Sequence, residues 1–584
     1  MKFPTKDQFL EKLSRVKIGE HTFIIIMAIA VGVLSGFANM LFRSTMHFVH
    51  NVIFLGGSDL LNIHEGGFYR ILLPLLPVTG ALLLIPLSLA FKGEVNGYGF
   101  PQFLERVNIR GGLLKIRTVF VKILSAAFTI GSGGSAGVEG PIAQIGGAVG
   151  SAVGQVSKVS GNRIKLLIAA GSAGGVAATF NAPIAGVMFA TEIVLLGNYE
   201  LTSFAAIIIS SGIATVVSRM YYGENPVFTV PAYEVSGYEI PLYIIFGVFI
   251  GVIAVLYIRF FYYVKDRFDI LRIHPQLKPV LGAFLVGTIG IFFPHVMGDG
   301  YQYIEKTLEG NMLFGIMAAL IFIKIIATSL TLGSGGAGGV FAPALFIGAM
   351  AGGSFGWVVH SLFPQYTATP GAYATAGVGA FLAAATHAPL TGIFLLFEMT
   401  ANYKIIIPIM FACIVGSLTA KRLFHDSIDT VELTRKGFNL HDGREATVLS
   451  TLQVGGVMKK EFVTIHEDTD IHELLEKAIV SDGFYFPVVD DEGLLTGIVS
   501  LQDIKGVLLE EDLKELVKVK YVTSKHVITI TPNDNLNTAI EKFSIKDIGE
   551  LPVVDVFNNR NVVGMLKRSD VITAYNKELL RRRL

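Results

Sequence analysis

The amino-acid sequence predicts an α-helical polytopic membrane protein made of two related halves, with a soluble α/β tail at its C-terminal end. Three observations support this fold class. The chain of 584 residues is 52% hydrophobic and 16% charged, which is a low charge content for a soluble protein. A long glycine-rich motif occurs twice in the apolar region, and the sequence becomes charged and alternating beyond about residue 430.

The glycine-rich motif defines the two halves. Residues 131–141 read GSGGSAGVEGP and residues 333–343 read GSGGAGGVFAP, which match at seven of eleven positions. A second motif follows each copy, FNAPIAG at 180–186 and THAPLTG at 386–392. Two related halves in an apolar chain are typical of transporter folds, in which glycine-rich breaks at matching places mark helices that end inside the membrane.

Apolar runs predict the membrane-spanning segments. Six are long enough to cross a bilayer, at about residues 22–46, 70–91, 202–219, 240–263, 279–298 and 312–332. Softer segments rich in glycine and alanine, which suit close helix packing, lie at about 118–130, 142–155, 163–197, 341–363, 371–399 and 404–424. We expect irregular backbone in the two glycine-rich motifs, either buried in protein or lining a wet cavity.

Charge and cysteine content narrow the classes of function. A net charge of +1 argues against a nucleic-acid partner, and the single Cys413 excludes a disulfide within the chain. The first residues are polar and lack a signal-peptide cleavage site. The positive-inside rule predicts a cytoplasmic N-terminal segment at 1–20, because five basic residues precede the first apolar run: Lys2, Lys6, Lys12, Arg15 and Lys17.

The tail from about residue 449 is itself a repeat. Its matching segments are 463–476 with 528–541, PVVD at 487–490 with PVVD at 552–555, and 497–504 with 564–571. Each copy predicts the order strand, helix, strand, strand, helix. This pattern closely resembles a tandem pair of CBS domains, expected at 449–520 and 521–584 after a linker at 431–448.

Four motifs of the apolar region, taken in order, resemble the CLC family of chloride channels and proton/chloride exchangers. They are GYGFP at 97–101, GVEGP at 137–141, FNAP at 180–183 and GVFAP at 339–343. The resemblance implies an inverted-repeat CLC transmembrane domain at 21–430, with halves at about 21–220 and 238–430, and a homodimer with one pore in each subunit. It also implies a multi-pass protein of the plasma (inner) membrane whose CBS domains are cytoplasmic.

Anion binding also follows from the chemistry of helix N-termini. Each glycine-rich motif leads into a proline, Pro141 or Pro343, and proline favours the first turn of a helix. A helix N-terminus offers unpaired N–H groups and about half a positive charge, so converging ends suit a permeant anion that must also leave. The resemblance implies these anion-binding residues: Tyr98, Gly99, Val138, Glu139, Gly140, Val340 and Phe341, of which the last two act through backbone N–H groups.

The resemblance places Glu139 as the gate, a carboxylate that occupies an anion position and swings aside. An intramembrane carboxylate is costly and usually functional, and capping of a helix start is the alternative. Lys122 matches a basic residue near the inner part of the ion path, with a snorkelling lysine as the alternative. Its repeat partner Lys324 is expected to snorkel. Glu192 and Glu398 share one place in the two halves, which predicts a structural bond to neighbouring backbone.

Three positions depart from the family pattern. Tyr98 stands where the family has a pore serine, Asp429 where it has a pore tyrosine, and Val138 where it usually has arginine. We expect Tyr98 to supply a hydroxyl to the central anion. An ionised Asp429 would repel that anion, so it is expected to be protonated, turned away or, as the favoured alternative, capping the next segment. The absence of arginine at 138 should weaken electrostatic recruitment of anions.

The mode of transport depends on Ile193 in the ion pathway. Exchangers of the family carry a second carboxylate one residue after the position of Glu192, whereas Ile193 takes up no proton. The sequence therefore predicts a passive chloride channel, with a proton/chloride antiporter as the alternative. A different inverted-repeat transporter is a remoter alternative. An enzyme is not expected, because the sequence offers no nucleophile–base pair, metal-ligand cluster or phosphate loop.

The tail is expected to bind an adenine nucleotide (ATP, ADP or AMP) as a regulatory ligand. In CBS domains an aspartate that ends the pattern Gly-x-x-Ser/Thr-x-x-Asp holds the ribose, and the hydroxyl residue contacts phosphate. Ser500 and Asp503 fit this pattern in the first repeat. Asp570 fits in the second, where Lys567 replaces the hydroxyl residue and could pair with phosphate as a point charge. The alternative is a purely structural dimerisation module.

Overall fold

The structure, a computed structural model, divides the chain into two compact units. It describes residues 20–63, 67–95, 97–159, 161–197, 201–231, 233, 235–436, 438, 449, 451–481, 483–505, 517–545 and 548–583. The first unit ends at Glu432, close to the predicted end of the membrane domain at 430, and the second begins at Leu433. The predicted segment 1–20, apart from Glu20, and residues 439–448 of the predicted linker lie outside the described residues.

Helices build the first unit. Its longer helices are α1 (Glu20–Val49), α2 (Leu75–Ala90), α3 (Phe100–Asn108), α4 (Arg117–Gly131), α5 (Glu139–Val156), α6 (Gly161–Phe180), α7 (Pro183–Phe189), α8 (Leu201–Tyr222), α9 (Ile240–Ile270), α10 (Lys278–Phe292), α11 (Tyr301–Leu308), α12 (Phe314–Gly333), α13 (Phe341–Leu362), α14 (Pro370–Thr386), α15 (Pro389–Thr400) and α16 (Ile406–Leu423). A short helix at Val431–Arg435 spans the division between the two units.

Within the described residues, 8 helices are long and apolar enough to cross a membrane. They overlap all six long apolar runs predicted from the sequence, although the helix in the run at 279–298 ends at Phe292, and they add α13 and α16, which were predicted as softer segments. The softer segments at 163–197 and 371–399 each divide into two helices. Each division lies at a residue with left-handed backbone, Asn181 or His387, two residues before the proline that begins the next helix.

Small residues let the central helices approach closely. A Cβ atom at Gly171 of α6 would lie 2.0 Å from the carbonyl oxygen of Gly146 on α5. In the second half, a Cβ atom at Gly377 of α14 would lie 2.2 Å from the carbonyl oxygen of Gly348 on α13. Backbones this close exclude any larger side chain, so glycine at these four positions is a packing requirement.

The second unit contains two α/β repeats. The first has β1 (Ile465–His466), α17 (Ile471–Val480), β2 (Tyr485–Val489) and β3 (Leu495–Ser500), with β1 parallel and β3 antiparallel to β2. The second has α18 (Leu536–Ile545), antiparallel β4 (Glu550–Val554) and β5 (Val562–Lys567), and α19 (Arg568–Arg583). A parallel bridge between Ile530 and Val553 takes the place of β1 in this copy. The predicted order of elements is present in the second repeat, with the bridge as its first strand, and as far as β3 in the first repeat, whose predicted last helix falls on residues 506–516, outside the described residues.

The PVVD motif begins the hairpin turn of each repeat. In the first repeat Asp490 Oδ1 accepts the backbone N–H groups of Glu492 and Leu494 at 3.1 and 2.8 Å. Its Oδ2 accepts a guanidinium N–H of Arg560, from the second repeat, at 2.7 Å. The Leu494 backbone N–H, together with the Arg560 charge, lowers the pKa of Asp490 below its usual range.

Candidate anion pathway

The two glycine-rich motifs meet where α5 and α13 begin. Gly137 and Gly339 form an antiparallel bridge, in which the N–H of each donates to the carbonyl oxygen of the other at 2.8 and 2.7 Å. Threonines from α4 and α12 support the loops reciprocally: Thr129 Oγ1 accepts the Ala337 N–H at 3.0 Å, and Thr331 Oγ1 accepts the Ser135 N–H at 3.1 Å. The irregular backbone predicted for both motifs is therefore present and is stabilised by the opposite half.

Glu139 is the first residue of α5, and it is buried with 1% exposure. Its Oε1 accepts the hydroxyl of Tyr301 at 2.6 Å, and its Oε2 accepts the backbone N–H of Ala342 at 3.2 Å. Ala342 lies in the first turn of α13, where N–H groups without helical partners attract negative charge. The carboxylate therefore lies at the start of the opposite helix, the place where the sequence predicts an anion.

The other residues predicted to bind the anion surround this carboxylate. Val138 and Val340 are the N-cap residues of α5 and α13, and Phe341 is the first residue of α13. All three are buried, as is Gly140, where a Cβ atom would lie 3.6 Å from the ring of Tyr98. The structure thus brings these residues together at two facing helix N-termini. Their role in anion binding stays a prediction.

Tyr98 and Gly99 precede the third converging helix, α3. Gly99 is its N-cap in left-handed backbone (φ 63°), which favours glycine. The Tyr98 hydroxyl donates to Oδ1 of Asp429, and Oδ2 of Asp429 has no hydrogen-bond partner in the part of the chain that the structure describes. Asp429 therefore faces Tyr98, in contrast to the expectation that it caps the next segment.

Lys122 lies beside Gly99 in the wall of a cavity of about 120 Å³. Its Nζ would lie 2.8 Å from a Cβ atom at Gly99, and the side chain is buried with 8% exposure. Gln102, Thr118 and Gln144 line the same cavity. A snorkelling lysine would extend its ammonium group to the membrane surface. Buried Lys122 instead lies next to the N-terminus of α3, where it adds a positive charge to the predicted ion path.

The expectation that Lys324 snorkels is wrong. The side chain is fully buried at 0% exposure, and its ammonium group donates to the carbonyl oxygens of Val296 and Gly298 at 3.1 and 3.0 Å. The ammonium also lies 5.0 Å from the centre of the Phe346 ring. Lys324 therefore holds the loop that precedes α11, because these bonds satisfy a buried charge.

Glu192 and Glu398 bind the backbone of the opposite half, as predicted. Each carboxylate accepts two N–H groups: Glu192 from Leu390 at 3.1 Å and Thr391 at 2.7 Å, and Glu398 from Ile184 at 3.0 Å and Ala185 at 2.7 Å. These N–H groups belong to the first turns of α15 and α7, so each glutamate caps a helix of the other repeat. Ile193 is buried at 3% exposure, with no proton-accepting atom in its side chain.

Sequence reasoning missed Tyr301, which donates to the Glu139 carboxylate. The sequence contained a signal for this residue, because the motif GYG at 97–99 has a counterpart in GDG at 298–300. The last glycine of each motif is the N-cap, in left-handed backbone, of the helix that follows. The loops also bind alike: Gly97 N–H donates to Gly335 O at 2.9 Å, and Gly298 N–H donates to Gly133 O at 3.2 Å. Tyr301 in the second half thus corresponds to Phe100 in the first.

The four residues of the tail that are predicted to bind a nucleotide do not share one site: Lys567 lines a cavity, and the other three lie elsewhere. Lys567 lines a cavity of about 300 Å³ with Lys459, Glu461, Tyr485 and Glu550. Burial raises the pKa of Glu550, whose carboxylate lies 3.7 Å from the Lys567 ammonium group. The cavity therefore contains both cations and carboxylates.

The three other predicted residues lie at and just after the end of β3 and in the first turn of α19. The backbone N–H and the hydroxyl of Ser500 both donate to Oδ2 of Asp503, at 2.8 and 2.7 Å. Asp570 lies in the first turn of α19, and its buried Oδ2 has no hydrogen-bond partner among the described residues of the tail. Ser500 and Asp503 in the first repeat therefore bind each other, whereas Asp570 in the second repeat has a carboxylate oxygen that can accept a further donor.

The fold and the site define a class of protein: a membrane transporter of inverted repeats, whose helix N-termini meet at a buried glutamate. The sequence profile described as Voltage gated chloride channel matches residues 79–421. The profile described as CBS domain matches residues 454–510 and 519–577. The chain therefore belongs to the voltage-gated chloride channel (CLC) family of anion transporters and carries two CBS domains at its C-terminal end.

Curated relatives agree with this membership. The H(+)/Cl(-) exchange transporter ClcA of Vibrio parahaemolyticus is 34% identical over 422 residues, which cover 68% of this chain and 87% of the relative. The Chloride channel protein CLC-f of Arabidopsis thaliana is 29% identical over 646 residues, covering 96% of this chain and 81% of the relative. The second similarity includes the CBS pair.

Solved structures show the same fold. The crystal structure of a slow cyanobacterial Cl-/H+ antiporter matches with a TM-score of 0.63 and 27% identity, covering 72% of this chain and 99% of that one. A eukaryotic CLC transporter matches with a TM-score of 0.63 at 20% identity, covering 94% of this chain and 97% of the other. The membrane unit of this chain therefore has the CLC transporter fold.

Proposed function

We propose that this protein exchanges chloride for protons across a membrane, with Glu139 as both the gate and a proton acceptor. The observation that carries the proposal is the position of the Glu139 carboxylate on the N–H of Ala342 at the start of α13. A carboxylate that binds where an anion binds must leave before chloride takes its place. Protonation removes the negative charge that the helix N-terminus attracts, so proton uptake favours chloride entry.

The relatives support exchange rather than the passive channel that the sequence predicted. The Vibrio relative is an H(+)/Cl(-) exchange transporter by name, and the cyanobacterial structure is that of a Cl-/H+ antiporter. The channel prediction rested on Ile193 alone, and a proton could reach Glu139 by another group. Membership of the CLC family also disfavours the remoter alternative of an unrelated inverted-repeat transporter.

The proposed path for chloride follows the predicted residues. Backbone N–H groups at the start of α13, at Val340 and Phe341, and of α5, at Gly140, bind the anion in the place that the Glu139 carboxylate holds in this structure. Lys122 contributes a full charge beside α3. Since two of these helix starts carry only partial charges, the anion is held weakly enough to leave.

Flux measurement in sealed liposomes tests the exchange. With an outward chloride gradient, and with potassium and valinomycin to compensate the charge moved, we expect protons to move uphill in fixed ratio to chloride. Glu139→Gln should keep chloride movement and abolish the proton movement, because the amide mimics a protonated carboxylate. Exposed Glu309→Gln is the matched control, with both movements retained. Chloride efflux without proton movement in the wild type would overturn exchange and establish a channel.

We further propose that the N-terminus and the CBS pair are cytoplasmic, that the protein resides in the plasma (inner) membrane, and that two copies form a homodimer. The basic residues before α1 support the orientation. Native Cys413 is buried, so a cysteine introduced at exposed Lys577 gives a clean probe. Labelling of intact cells by an impermeant maleimide would contradict the orientation. Light scattering of the purified protein measures the mass of the assembly.

Nucleotide regulation is proposed for the tail. The support is the cavity with Lys567 and Lys459, whose ammonium groups suit phosphate, and Tyr485, whose ring suits a base. Calorimetry of the full-length protein with ATP, ADP and AMP should show binding that Lys567→Ala weakens and Lys577→Ala, on the exposed face of α19, does not. No heat with any of the three nucleotides would favour a structural dimerisation module.

A further inference from the structure

Proton exchange needs a group that brings protons to Glu139, and Ile193 is not such a group. Among the described residues of the membrane unit, the buried carboxylates are Glu94, Glu105, Glu139, Glu239 and Asp429. Three of these have strong partners: Glu94 binds Arg117 at 2.7 Å, Glu105 binds Arg110 at 2.5 Å, and Glu239 accepts the N–H of Ala368 at 2.9 Å and the hydroxyl of Tyr373 at 3.1 Å. With Glu139 as the gate, Asp429 is left without a bound cation.

The surroundings of Asp429 suit a group that gains and loses a proton. It is 1% exposed, its Oδ1 accepts the Tyr98 hydroxyl, and its Oδ2 has no donor within the described residues. Burying an ionised carboxylate with so few hydrogen bonds is costly, whereas the protonated form is neutral and can donate from Oδ2. Two tyrosines of α9 also face this site: Tyr257 interacts with Asp429, and the Tyr262 hydroxyl donates to the carbonyl oxygen of Ile428, the residue before Asp429, at 2.8 Å.

Tyr98 connects Asp429 to the gate. Its hydroxyl binds the carboxylate, while its ring packs at Gly140, the residue that follows Glu139 in α5. Tyr98 also precedes Gly99, the N-cap of α3, so the same loop holds the aspartate and builds the anion site. The Asp429 carboxyl therefore lies one side chain away from the start of α5.

The other end of this segment reaches the cavity that contains Lys122. Glu432, three residues after Asp429, accepts the amide of Gln102 at 2.6 Å and pairs with Lys265 at 2.5 Å. Gln102 lines the cavity of about 120 Å³. Water in that cavity would meet Gln102, whose amide binds Glu432 in the segment that carries Asp429. The cavity contacts this segment through Gln102 and Glu432, and Asp429 contacts the start of α5 through Tyr98, so neither connection uses position 193.

We propose that Asp429, positioned by Tyr98, is the second proton-accepting carboxylate of this protein and replaces the one that Ile193 lacks. Asp429 takes a proton from water in the cavity and becomes neutral. It then gives that proton to the Glu139 carboxylate, which becomes neutral as Asp429 returns to the ionised form. The inference rests on the proposed exchange of chloride for protons.

The test uses Asp429→Asn in full-length protein, with chloride and proton movement recorded together in liposomes. We expect chloride flux close to that of the wild type, and proton movement lower by about a hundredfold or more, the effect of removing a positioned proton-transfer group. Asp429→Glu keeps a carboxyl group and should restore coupled proton movement. Asp269→Asn makes the same chemical change at an exposed site of α9 and should leave both fluxes unchanged.

Each outcome has a separate meaning. Wild-type protein that moves protons uphill, with Asp429→Asn that does so in the same ratio, would overturn the inference and leave the exchange intact. A wild type without uphill proton movement would overturn both. If Asp429→Asn fails to fold, as judged by gel filtration, Tyr98→Phe carries the test, because it keeps the carboxyl group and removes the bond that positions it. Tyr98→Phe should lower the number of protons moved per chloride, and an unchanged ratio would contradict the inference.

Discussion

Replacing Tyr301 by phenylalanine removes one hydrogen bond from the Glu139 carboxylate and leaves the aromatic ring in place. The bond is 2.6 Å long, and the carboxylate keeps the N–H of Ala342 as its other cross-repeat donor. A hydrogen bond to a charged group contributes about 1.5–3 kcal/mol. The conformation with Glu139 in the anion position should therefore lose roughly 10- to 150-fold in relative population, at about 1.4 kcal/mol per factor of ten.

That loss predicts tighter chloride binding. Chloride competes with the Glu139 carboxylate for the start of α13, so the apparent dissociation constant rises with the fraction of protein in which the carboxylate is bound there. We expect Tyr301→Phe to lower the apparent chloride dissociation constant, by up to the same factor of roughly 10 to 150. Calorimetric titration of purified protein with chloride, in a buffer with a large organic anion at pH above 7, measures it.

Two further variants isolate the bond as the cause. Tyr303→Phe removes a hydroxyl from the same helix, α11, at a ring that packs on His295 at 4.5 Å between centres, and should bind chloride as the wild type does. In the Glu139→Gln background the carboxylate is absent, so adding Tyr301→Phe should have little effect, as a double-mutant cycle requires. An unchanged affinity in Tyr301→Phe, or an equal change in the Glu139→Gln background, would refute the reasoning.

Three other predictions follow from packing and charge. Gly171→Ala should lower the melting temperature measured in detergent by gel filtration, since its Cβ would lie 2.0 Å from the carbonyl oxygen of Gly146. Gly212→Ala is the control and should not lower it, because a Cβ there meets open space and alanine is the better helix former. Equal melting temperatures of the two variants would contradict the packing argument. Glu139→Gln should remove the pH dependence of chloride flux, and a pH response like that of the wild type would exclude the gate. Asp490→Asn should lower the stability of a 445–584 fragment to urea near neutral pH. The lowered pKa of Asp490 stabilises the folded state above the ordinary carboxyl pKa, and this stability is lost as the pH falls through the pKa of the folded state. An equal difference between variant and wild type at acid pH would exclude this cause.

The sequence predicted the fold and the two helix starts that meet at Glu139, because both depend on local signals. Glycine density and proline fixed the helix starts around Glu139, and hydropathy fixed the long spans. The reciprocal contacts of Glu192 and Glu398 were predicted in kind, since two residues at one place in both repeats share a structural task. The prediction for Lys324 was wrong because its ammonium group binds the backbone carbonyl oxygens of Val296 and Gly298. Backbone partners cannot be recognised from the pattern of side chains in a sequence.

Long-range side-chain partners were harder to predict. Tyr98 and Asp429 are 331 positions apart, and only the structure shows that the phenol donates to the carboxylate. Tyr301 and Glu139 are 162 positions apart and belong to different repeats. Sequence comparison of the repeats pairs Glu139 with Phe341, and therefore directs attention to the start of α13 rather than to α11. Tyr301, the hydrogen-bond partner of Glu139, lies in the other half, so it is found only when the two Gly-x-Gly loops are aligned.

Internal symmetry explains why the hydrogen bonds of the proposed gate, Glu139, come from the other half. The motif glycines, the threonines that brace them and the two lysines keep the same spacing in both copies, which preserves a common scaffold. The residues at the helix starts differ: Glu139 against Phe341, and Phe100 against Tyr301. A single carboxylate in the first half thus finds its hydroxyl and its N–H donor in the second. Because the donors and the acceptor belong to different halves, a small shift of α11 or α13 against α5 changes both hydrogen bonds together, which is the coupling that a gate between two repeats requires.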